Sequence, residues 1–512
     1  MQAKSTSNAT DNSGPDFLLS GAIIALIVLF WGLRLNTSLW LDETLTYWII
    51  KDSPLDAIER AFTYQGQSPF YFLLLNLLSI VLGVSEPALR LLSIISAVGA
   101  LYYVYKIIAK LFDSDRAGLT VLLLISTDIV TGAAVSARPY APGFMAAMAA
   151  TYSFLRWHDS GKLSEQLVYL AWMLLAVYDH YIFLPVIFIH FLYYILFNSD
   201  SRITLAALFL TALFLLIGLL PLYLHFQYLL GRAAEISVSA KPGLLSIGGR
   251  ILDPATALLF IVAFFYTQAF SAKRPDITLI KKELTTRKGL FLVCWSFLPV
   301  LGLFCLSYLL KSGSLFSKRY LIWCLPATAA LLSLVAISFK NKNALRTFVI
   351  SFSALVLITA VGRPITGEDW RGAVRYINTL SLQDETALLF YSSLIESKNI
   401  EWFSDPGHRD YLLGPLNYYK VRKKVLFLPP PIKSINGRHY VEDNILPVLK
   451  GQQACTALGL NVVGKSGLGV SDWVKSLCKK SGFSDPQVKK FGRVFVIVAA
   501  REPPEEGGKG KK

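Results

Sequence analysis

The sequence predicts a polytopic α-helical membrane protein that carries a small α/β domain at its C-terminal end. Of its 512 residues, 54% are hydrophobic and 16% are charged, and the mean hydropathy is +0.49. The apolar residues form runs of about 20 residues, the length that crosses a bilayer as a helix. Beyond Arg363 these long runs end, and shorter apolar segments alternate with polar ones.

The apolar runs predict about eleven membrane spans. A polar tail, residues 1–16, precedes the first run and is expected to be disordered. No small-residue cleavage site follows the first run, so we expect a retained helix rather than a signal peptide. The predicted spans are 17–35, 88–110, 117–133, 141–156, 166–178, 181–197, 203–225, 251–270, 289–310, 320–338 and 345–362.

The charges of the loops predict the orientation of these spans. The loop at 271–288 contains six Lys and Arg residues, and short basic loops tend to face the cytoplasm. This orientation puts the N-terminus inside, the C-terminus outside, and residues 36–86 in one long external loop. Within that loop, the apolar stretch 69–83 is short for a span and is predicted to lie along the membrane. The transmembrane domain would then cover residues 17–362.

Residues 363–500 are predicted to form an extracytoplasmic α/β domain, followed by a disordered tail at 501–512. One helical segment and three strand-like segments support this prediction, at 369–380, 387–391, 425–431 and 494–499. Cys455 and Cys478 lie in this domain, where an oxidising compartment would allow a disulfide.

The net charge of +16 does not indicate nucleic-acid binding, because the basic residues are spread over loops and a tail. From Arg363 onward, 23 Lys and Arg residues stand against 15 Asp and Glu residues. This excess favours an anionic surface, such as membrane phospholipid or a phosphorylated glycolipid. A generic basic face beside the membrane explains it equally well.

Polar clusters at the ends of several spans indicate an extracytoplasmic site, since charged groups near a bilayer are rare and usually functional. The predicted topology places all of them outside: Asp42 and Glu43 after the first span, Arg138 and Tyr140 between the third and fourth, His180 and Tyr181 between the fifth and sixth, and Lys318, Arg319 and Tyr320 before the tenth.

The residue types suggest roles for these clusters. The acid pair suits general-base catalysis on a hydroxyl, the basic side chains suit a phosphate, and the aromatic residues and His180 suit a sugar. Alternatives remain: the acid pair only caps a helix, Arg319 only reaches lipid headgroups, Tyr181 belongs to the interfacial aromatic belt, and His180 is a polar neighbour of Asp179. No Cys/His spacing indicates a metal site, and dependence on a divalent metal stays open.

Six segments together resemble a known family. The segments WLDE, QSPFYFLLLNL, EPALRLLS, SARPYA, FSKRYLIWCLP and EDWRGAVRYI are similar to bacterial relatives of the dolichyl-phosphate-mannose protein mannosyltransferases. That group, glycosyltransferase family 39-like, includes the aminoarabinose–lipid A transferases and has the GT-C architecture. The resemblance implies that a sugar passes from a polyprenyl-phosphate donor to a hydroxyl of an envelope glycolipid, polysaccharide or protein. The reaction would occur on the outer face of the plasma (inner) membrane, with inversion at the anomeric carbon.

The resemblance also implies roles for individual residues. Asp42 would be the base and Glu43 its support, while Arg138, Lys318 and Arg319 would bind the donor phosphate. By residue type and position, rather than by the resemblance, the candidate sugar and acceptor contacts are Gln67, Tyr140, His180, Tyr181 and Tyr320. The chain departs from the family at two places: Gln67 replaces the His of a His-x-Pro segment, and Ala137 replaces a Glu before the Arg.

Two other functions fit a polytopic chain with these clusters. One is a transporter or flippase of a lipid-linked sugar, and the other is a membrane protein that binds glycans without catalysis. Transporters concentrate polar residues near the bilayer midplane, whereas here they gather at one interface, which favours the transferase.

Overall fold

The computed structural model describes residues 17–236, 241–271, 274–309, 316–360, 367–380, 386–430, 435–461 and 469–501. The predicted disordered tail 1–16 lies outside these residues, as does the predicted tail 501–512 except for Arg501. Arg501, which the prediction assigned to the C-terminal tail, instead forms a β-bridge with Phe483.

The chain divides into two compact units. The larger, called here the helical unit, comprises Met1–Leu35, Gln65–Tyr71 and Arg90–Gly362. The smaller, called the C-terminal unit, comprises Asn36–Tyr64, Phe72–Leu89 and Arg363–Lys512. Most of the first external loop therefore groups with the C-terminal part of the chain, whereas the sequence-based division placed that loop in the transmembrane domain.

Long apolar helices dominate the helical unit. Within the described ranges, seven helices are long and apolar enough to cross a membrane: Phe17–Arg34, Glu86–Leu111, Leu205–Gly231, Pro254–Ser271, Arg287–Leu309, Lys318–Ile337 and Lys342–Thr359. The first of these is α-helical over Phe17–Ala25 and continues as a π turn at Leu26–Trp31 and a 3₁₀ turn at Gly32–Arg34. These helices indicate a multi-pass membrane protein, and each coincides with a predicted span.

The predicted span at 117–133 is not one straight helix. It consists of Ser114–Ile125 and Asp128–Ala134, bent by 75°. The hydroxyl groups of Ser126 and Thr127 donate to the carbonyls that end the first helix, and Thr127 then caps the second. Serine and threonine compete in this way with the helical backbone, and the span is therefore broken at these two residues.

Three further predicted spans, at 141–156, 166–178 and 181–197, correspond to Tyr140–Ser160, Leu163–Asp179 and Val186–Leu196. The last helix has only 11 residues and follows the 3₁₀ turn Tyr181–Phe183. The short elements of this unit are Asn198–Asp200, Leu244–Ser246, Gly248–Ile251 and Ile277–Leu284. The candidate span Lys318–Ile337 consists of the 3₁₀ segment Lys318–Cys324 and the α-helix Leu325–Ile337, and two other long helices have the full bounds Leu205–Ile236 and Lys342–Ala360.

A five-stranded sheet forms the centre of the C-terminal unit. Its strands are β1 (Leu388–Tyr391), β2 (Val425–Phe427), β3 (Ala454–Leu460), β4 (Gln487–Phe491) and β5 (Val494–Ala500), in the order β2-β1-β3-β5-β4. Strand β1 runs parallel to β2 and β3, and β5 runs antiparallel to β3 and β4. The sheet confirms a small C-terminal domain with strands, three of which the sequence located.

Helices cover both faces of the sheet. The ring of Trp370, in the helix Trp370–Thr379, lies 6.3 Å from that of Phe390. On the other face, Leu389 packs in one core with Val474 of the helix Val470–Lys480. The other short helices are Pro406–Leu412, Gly414–Tyr418, Ile435–Tyr440, Val441–Ile445 and Leu446–Lys450, with 3₁₀ turns at Ile395–Lys398 and Ile400–Phe403.

The external loop contains three helices, Leu41–Ile50, Pro54–Tyr64 and Phe70–Leu82. The third has 13 residues, in agreement with the short apolar helix predicted at 69–83. The amide of Asn76 donates to the carbonyls of Ile50 and Asp52, at 2.8 Å each, so it ties the third helix to the end of the first.

Candidate functional site

Asp42 and Glu43 lie in the first turn of the helix Leu41–Ile50, which we call the acid helix. Trp40 precedes it in an extended conformation, and its N–H donates to the Glu43 carboxylate at 3.1 Å. Carboxylates in this position compensate the unpaired N–H groups and the positive end of the helix dipole. Glu43 is fully buried, whereas Asp42 is partly exposed. The structure thus separates the pair into a buried cap and a carboxylate that solvent or a substrate can reach.

Contacts within the C-terminal unit hold the acid helix along its length. The Trp48 indole N–H donates to Asp410 Oδ2 at 2.7 Å, and Lys51 Nζ lies 2.7 Å from the same oxygen. Burial raises the pKa of Asp410, but the hydrogen bonds from Lys51 and Trp48 outweigh this effect, so its pKa is lowered overall. A Cβ at Gly414 would lie 2.8 Å from Leu45 Cδ2, which shows how closely the chain approaches the helix.

Glu368 is a candidate that the sequence did not identify as a site residue. Its Oε2 accepts from the N–H of Leu41 at 2.9 Å and from the indole N–H of Trp370 at 3.1 Å. Burial raises the pKa of Glu368, and the negative charge of Asp42 contributes in the same direction. The segment EDWRGAVRYI contributes to the family resemblance, but nothing in its local pattern indicates a role for Glu368.

Five predicted residues come together in the helical unit and form what we call the basic-aromatic cluster: Arg138, Tyr140, His180, Arg319 and Tyr320. The imidazole of His180 lies 5.4 Å from the Tyr140 ring and 6.1 Å from the Tyr320 ring, measured between centroids. The Arg319 guanidinium carbon lies 5.9 Å from the centroid of the Tyr140 ring. Arg138 is only 4% exposed, and its positive charge contributes to lowering the pKa of His180. Residues from three separate loops therefore meet.

His180 is neutral in this cluster. Burial and the positive charge of Arg138 lower the pKa of His180 to about 3. The N–H of Ile182 donates to Nδ1 at 3.4 Å, which assigns the remaining proton to Nε2. Nε2 is buried and has no hydrogen-bond partner among the described residues. His180 can therefore donate a neutral hydrogen bond to a ligand.

The contacts of the described residues do not place three further predicted residues in this cluster. Lys318 pairs with the buried Asp253, at 3.4 Å from Nζ to Oδ1, and Tyr181 OH lies 2.6 Å from Nδ1 of His225. Gln67 belongs to the helical unit and is buried, and within the described ranges its amide oxygen has no hydrogen-bond partner. We therefore restrict the cluster to its five members.

Asp179 adds a buried carboxyl beside His180 in the chain. It is 2% exposed, and its Oδ1 has no hydrogen-bond partner in the part of the chain that the structure describes. The same part of the chain holds no group of three or more His, Cys, Asp or Glu residues arranged to hold a metal ion.

Comparison with known proteins bears on the fold and on the family. A family model described as dolichyl-phosphate-mannose-protein mannosyltransferase matches residues 66–225. That segment includes Arg138, Tyr140 and His180, and the match confirms the resemblance to these membrane glycosyltransferases. No match was found among curated protein sequences.

Two solved structures are similar to this chain over nearly its whole length. ArnT from Cupriavidus metallidurans bound to undecaprenyl phosphate matches with 12% identity and a TM-score of 0.55, covering 94% of this chain and 97% of that chain. ArnT from the same organism in the apo state matches with 13% identity, a TM-score of 0.51 and the same coverage of both chains. At these identities the likeness shows the fold, which is helical and like that of ArnT.

Proposed function

We propose that the chain is an inverting glycosyltransferase that takes a sugar from a polyprenyl-phosphate donor. The acceptor is a hydroxyl of a glycolipid, polysaccharide or protein. The observation that carries the proposal is the basic-aromatic cluster. In it, the positive charge of the buried Arg138 helps to lower the pKa of His180, and both residues lie within the segment that the family model matches. Arginine binds phosphate oxygens well because it offers several N–H donors in a fixed plane. The ArnT structure with undecaprenyl phosphate supports a donor of this chemical class.

Asp42 is the proposed general base. It removes the proton of the acceptor hydroxyl while that oxygen attacks the anomeric carbon from the face opposite the phosphate. The bond between the anomeric carbon and the phosphate oxygen breaks, and polyprenyl phosphate leaves with the electron pair. The configuration is inverted, and no second carboxylic acid is required because phosphate is a good leaving group.

The remaining cluster residues act on the donor. Arg138 and Arg319 neutralise the charge of the departing phosphate, as preorganised cations do in other transferases. The Nε2–H of His180 donates a hydrogen bond, and Tyr140 and Tyr320 contact the sugar. Gln67 and Tyr181, which lie in the segment matched by the family model, remain proposed acceptor contacts, and Lys318 supports the loop that carries Arg319.

We further propose about eleven spans in the plasma membrane, with the site and residues 363–500 on the extracytoplasmic side. The disulfide between Cys455 and Cys478 supports this side, because such bonds persist in oxidising compartments. The basic loop at 271–288 would face the cytoplasm.

Replacement of the proposed base tests the function. Purified Asp42→Asn protein, given a labelled polyprenyl-phosphate sugar and envelope lipid extract, should transfer sugar on the order of 100-fold to 10,000-fold more slowly than wild type. Asp443→Asn, which changes an exposed aspartate of the C-terminal unit, is the matched control and should keep wild-type transfer. Undiminished transfer by Asp42→Asn would exclude Asp42 as the base. Donor binding or translocation without turnover by wild-type protein would favour the glycan-binding or flippase function.

A further inference from the structure

Residues that follow Arg363 in the C-terminal unit form hydrogen bonds with the chain just before the acid helix. Arg371 donates from Nη2 to the carbonyl of Asn36 at 2.7 Å, and its backbone N–H donates to the hydroxyl of Ser38 at 3.2 Å. The N–H of Leu39 donates to the hydroxyl of Tyr419 at 2.8 Å. The approach to the helix is therefore fixed at three positions by partners more than 300 residues away in sequence.

Glu368 continues this series into the helix itself. The N–H groups of the first helical turn have no acceptor within the helix, and that of Leu41 finds its acceptor in Glu368 Oε2 at 2.9 Å. The Trp370 indole orients the same oxygen at 3.1 Å. The Glu368 side chain is 5% exposed, and Arg493 lies 3.9 Å from its other oxygen. Water therefore cannot easily replace the carboxylate as acceptor.

We propose that Glu368 is a positioning residue, which fixes the first turn of the acid helix so that the Asp42 carboxylate meets the acceptor hydroxyl. This inference rests on the proposed function. Leu41 and Asp42 are adjacent, so the hydrogen bond to Glu368 constrains the backbone immediately before Asp42. Without it, the first turn loses the only contact shown for the Leu41 N–H among the described residues. Small displacements of a reacting group are costly, since a misplacement of about 1 Å can slow catalysis on the order of 100-fold.

A pair of conservative variants separates geometry from charge. Glu368→Gln retains a carbonyl oxygen at the length of the original side chain, so it keeps the acceptor for Leu41 but loses the negative charge. Glu368→Asp retains the charge but is one methylene shorter, so it cannot reach Leu41 and Trp370 together. With full-length protein, we expect kcat within about twofold of wild type for Glu368→Gln and about tenfold to 100-fold lower for Glu368→Asp. KM for the polyprenyl-phosphate sugar should stay unchanged in both variants, because the proposed donor contacts come from the basic-aromatic cluster and not from Glu368.

Hydrogen exchange provides a readout that is independent of turnover. Amides at 40–44 should exchange faster in Glu368→Asp than in wild type, while Glu368→Gln stays close to wild type. Amides at 470–480, in the helix that packs on the far face of the sheet, should be unaffected in both. Glu442→Ala, which removes an exposed carboxylate of the same unit, is the control and should change neither exchange nor kcat.

Three outcomes would overturn the inference. The first is a wild-type kcat in Glu368→Asp. The second is a lowered kcat in Glu368→Gln together with a wild-type kcat in Glu368→Asp, which would mean that the negative charge of Glu368 matters rather than its hydrogen bond to Leu41. The third is a rise in donor KM at constant kcat. Failure of the proposed function is recognised separately, because it would appear as retained transfer in Asp42→Asn whatever the behaviour of the Glu368 variants.

Discussion

Removal of the disulfide between Cys455 and Cys478 should strongly destabilise the C-terminal unit. The bond joins strand β3 to the helix Val470–Lys480, and the two cysteines are 23 positions apart. A crosslink stabilises mainly because it restricts the unfolded chain, and for a loop of this size the chain-entropy relation gives about 3.4 kcal/mol at 25 °C. Both side chains are fully buried, so Cys455→Ala with Cys478→Ala avoids new polar groups in the core.

The assay is proteolytic susceptibility of the purified full-length protein in detergent across a urea series, read on fragments of the C-terminal unit. The double variant should unfold at lower urea, with the free energy of unfolding reduced by about 3 to 5 kcal/mol. Wild-type protein treated with reductant should behave like the variant, and reductant should not change the variant further. Cys305→Ala, which removes an exposed free cysteine, serves as the control for loss of a thiol.

The reasoning would be refuted by a double variant whose unfolding free energy lies within about 1 kcal/mol of wild type. Such a result would mean that the loop between the two cysteines is already restricted in the unfolded chain. A large loss in Cys305→Ala would show instead that the assay responds to changes outside the C-terminal unit.

Two further predictions concern the donor site and the acid helix. Arg138→Ala should raise KM for the polyprenyl-phosphate sugar by about tenfold to 100-fold, as expected for loss of a hydrogen bond to a charged group. Steady-state kinetics with labelled donor measures this change, and the Glu442→Ala control should keep the wild-type KM. An unchanged KM in Arg138→Ala would exclude Arg138 from the proposed phosphate site. The hydrogen bonds from Lys51 and Trp48 lower the pKa of Asp410 in the folded protein. The ion pair of Asp410 therefore contributes its full stability at pH values above the unfolded-state pKa of about 3.9. This stability is lost as the pH falls through the lower folded-state pKa. Thermal unfolding between about pH 7 and pH 2.5 should therefore show a steeper acid loss in wild type than in Asp410→Asn, and parallel curves would contradict the assignment.

The long helices of the membrane portion could be located from the sequence because long apolar runs indicate them. The helix Glu86–Leu111, for example, matches the predicted span 88–110 closely. The bend at Ser126 and Thr127 could not be located in the same way, since two hydroxyl residues inside an apolar run also fit a straight helix. Only the bonds that their hydroxyl groups make decide between the two.

The strands show a similar limit. Strand β5 consists of Val, Phe, Ile and Ala and was located from its composition. Strand β3, with the sequence ACTALGL, lies at the centre of the sheet and is buried along its length, yet its small residues have little strand preference. Its place is determined by close approach to its neighbours: a Cβ at Gly459 would lie 2.8 Å from Tyr391 Cβ.

The site could be predicted only where function and local sequence coincide. Asp42 could be proposed as a site residue because an acid pair beside a span is visible in the sequence, but the different burial of Asp42 and Glu43 could not be predicted. Glu368 lies 327 positions from Leu41, so no local pattern connects them. The acceptor for an N–H group at the start of a helix depends on which distant residues the fold brings close, and short sequence segments carry no information about that.

Adjacent residues in the chain also need not share a site, as Lys318 and Arg319 show. They begin the 3₁₀ segment Lys318–Cys324, in which about three residues complete a turn, so neighbouring side chains point in directions about 120° apart. Lys318 consequently pairs with Asp253, while Arg319 lies over the ring of Tyr140. We therefore expect the two residues to differ in role: Lys318 anchors the loop through Asp253, and the proposed phosphate contacts come from Arg138 and Arg319.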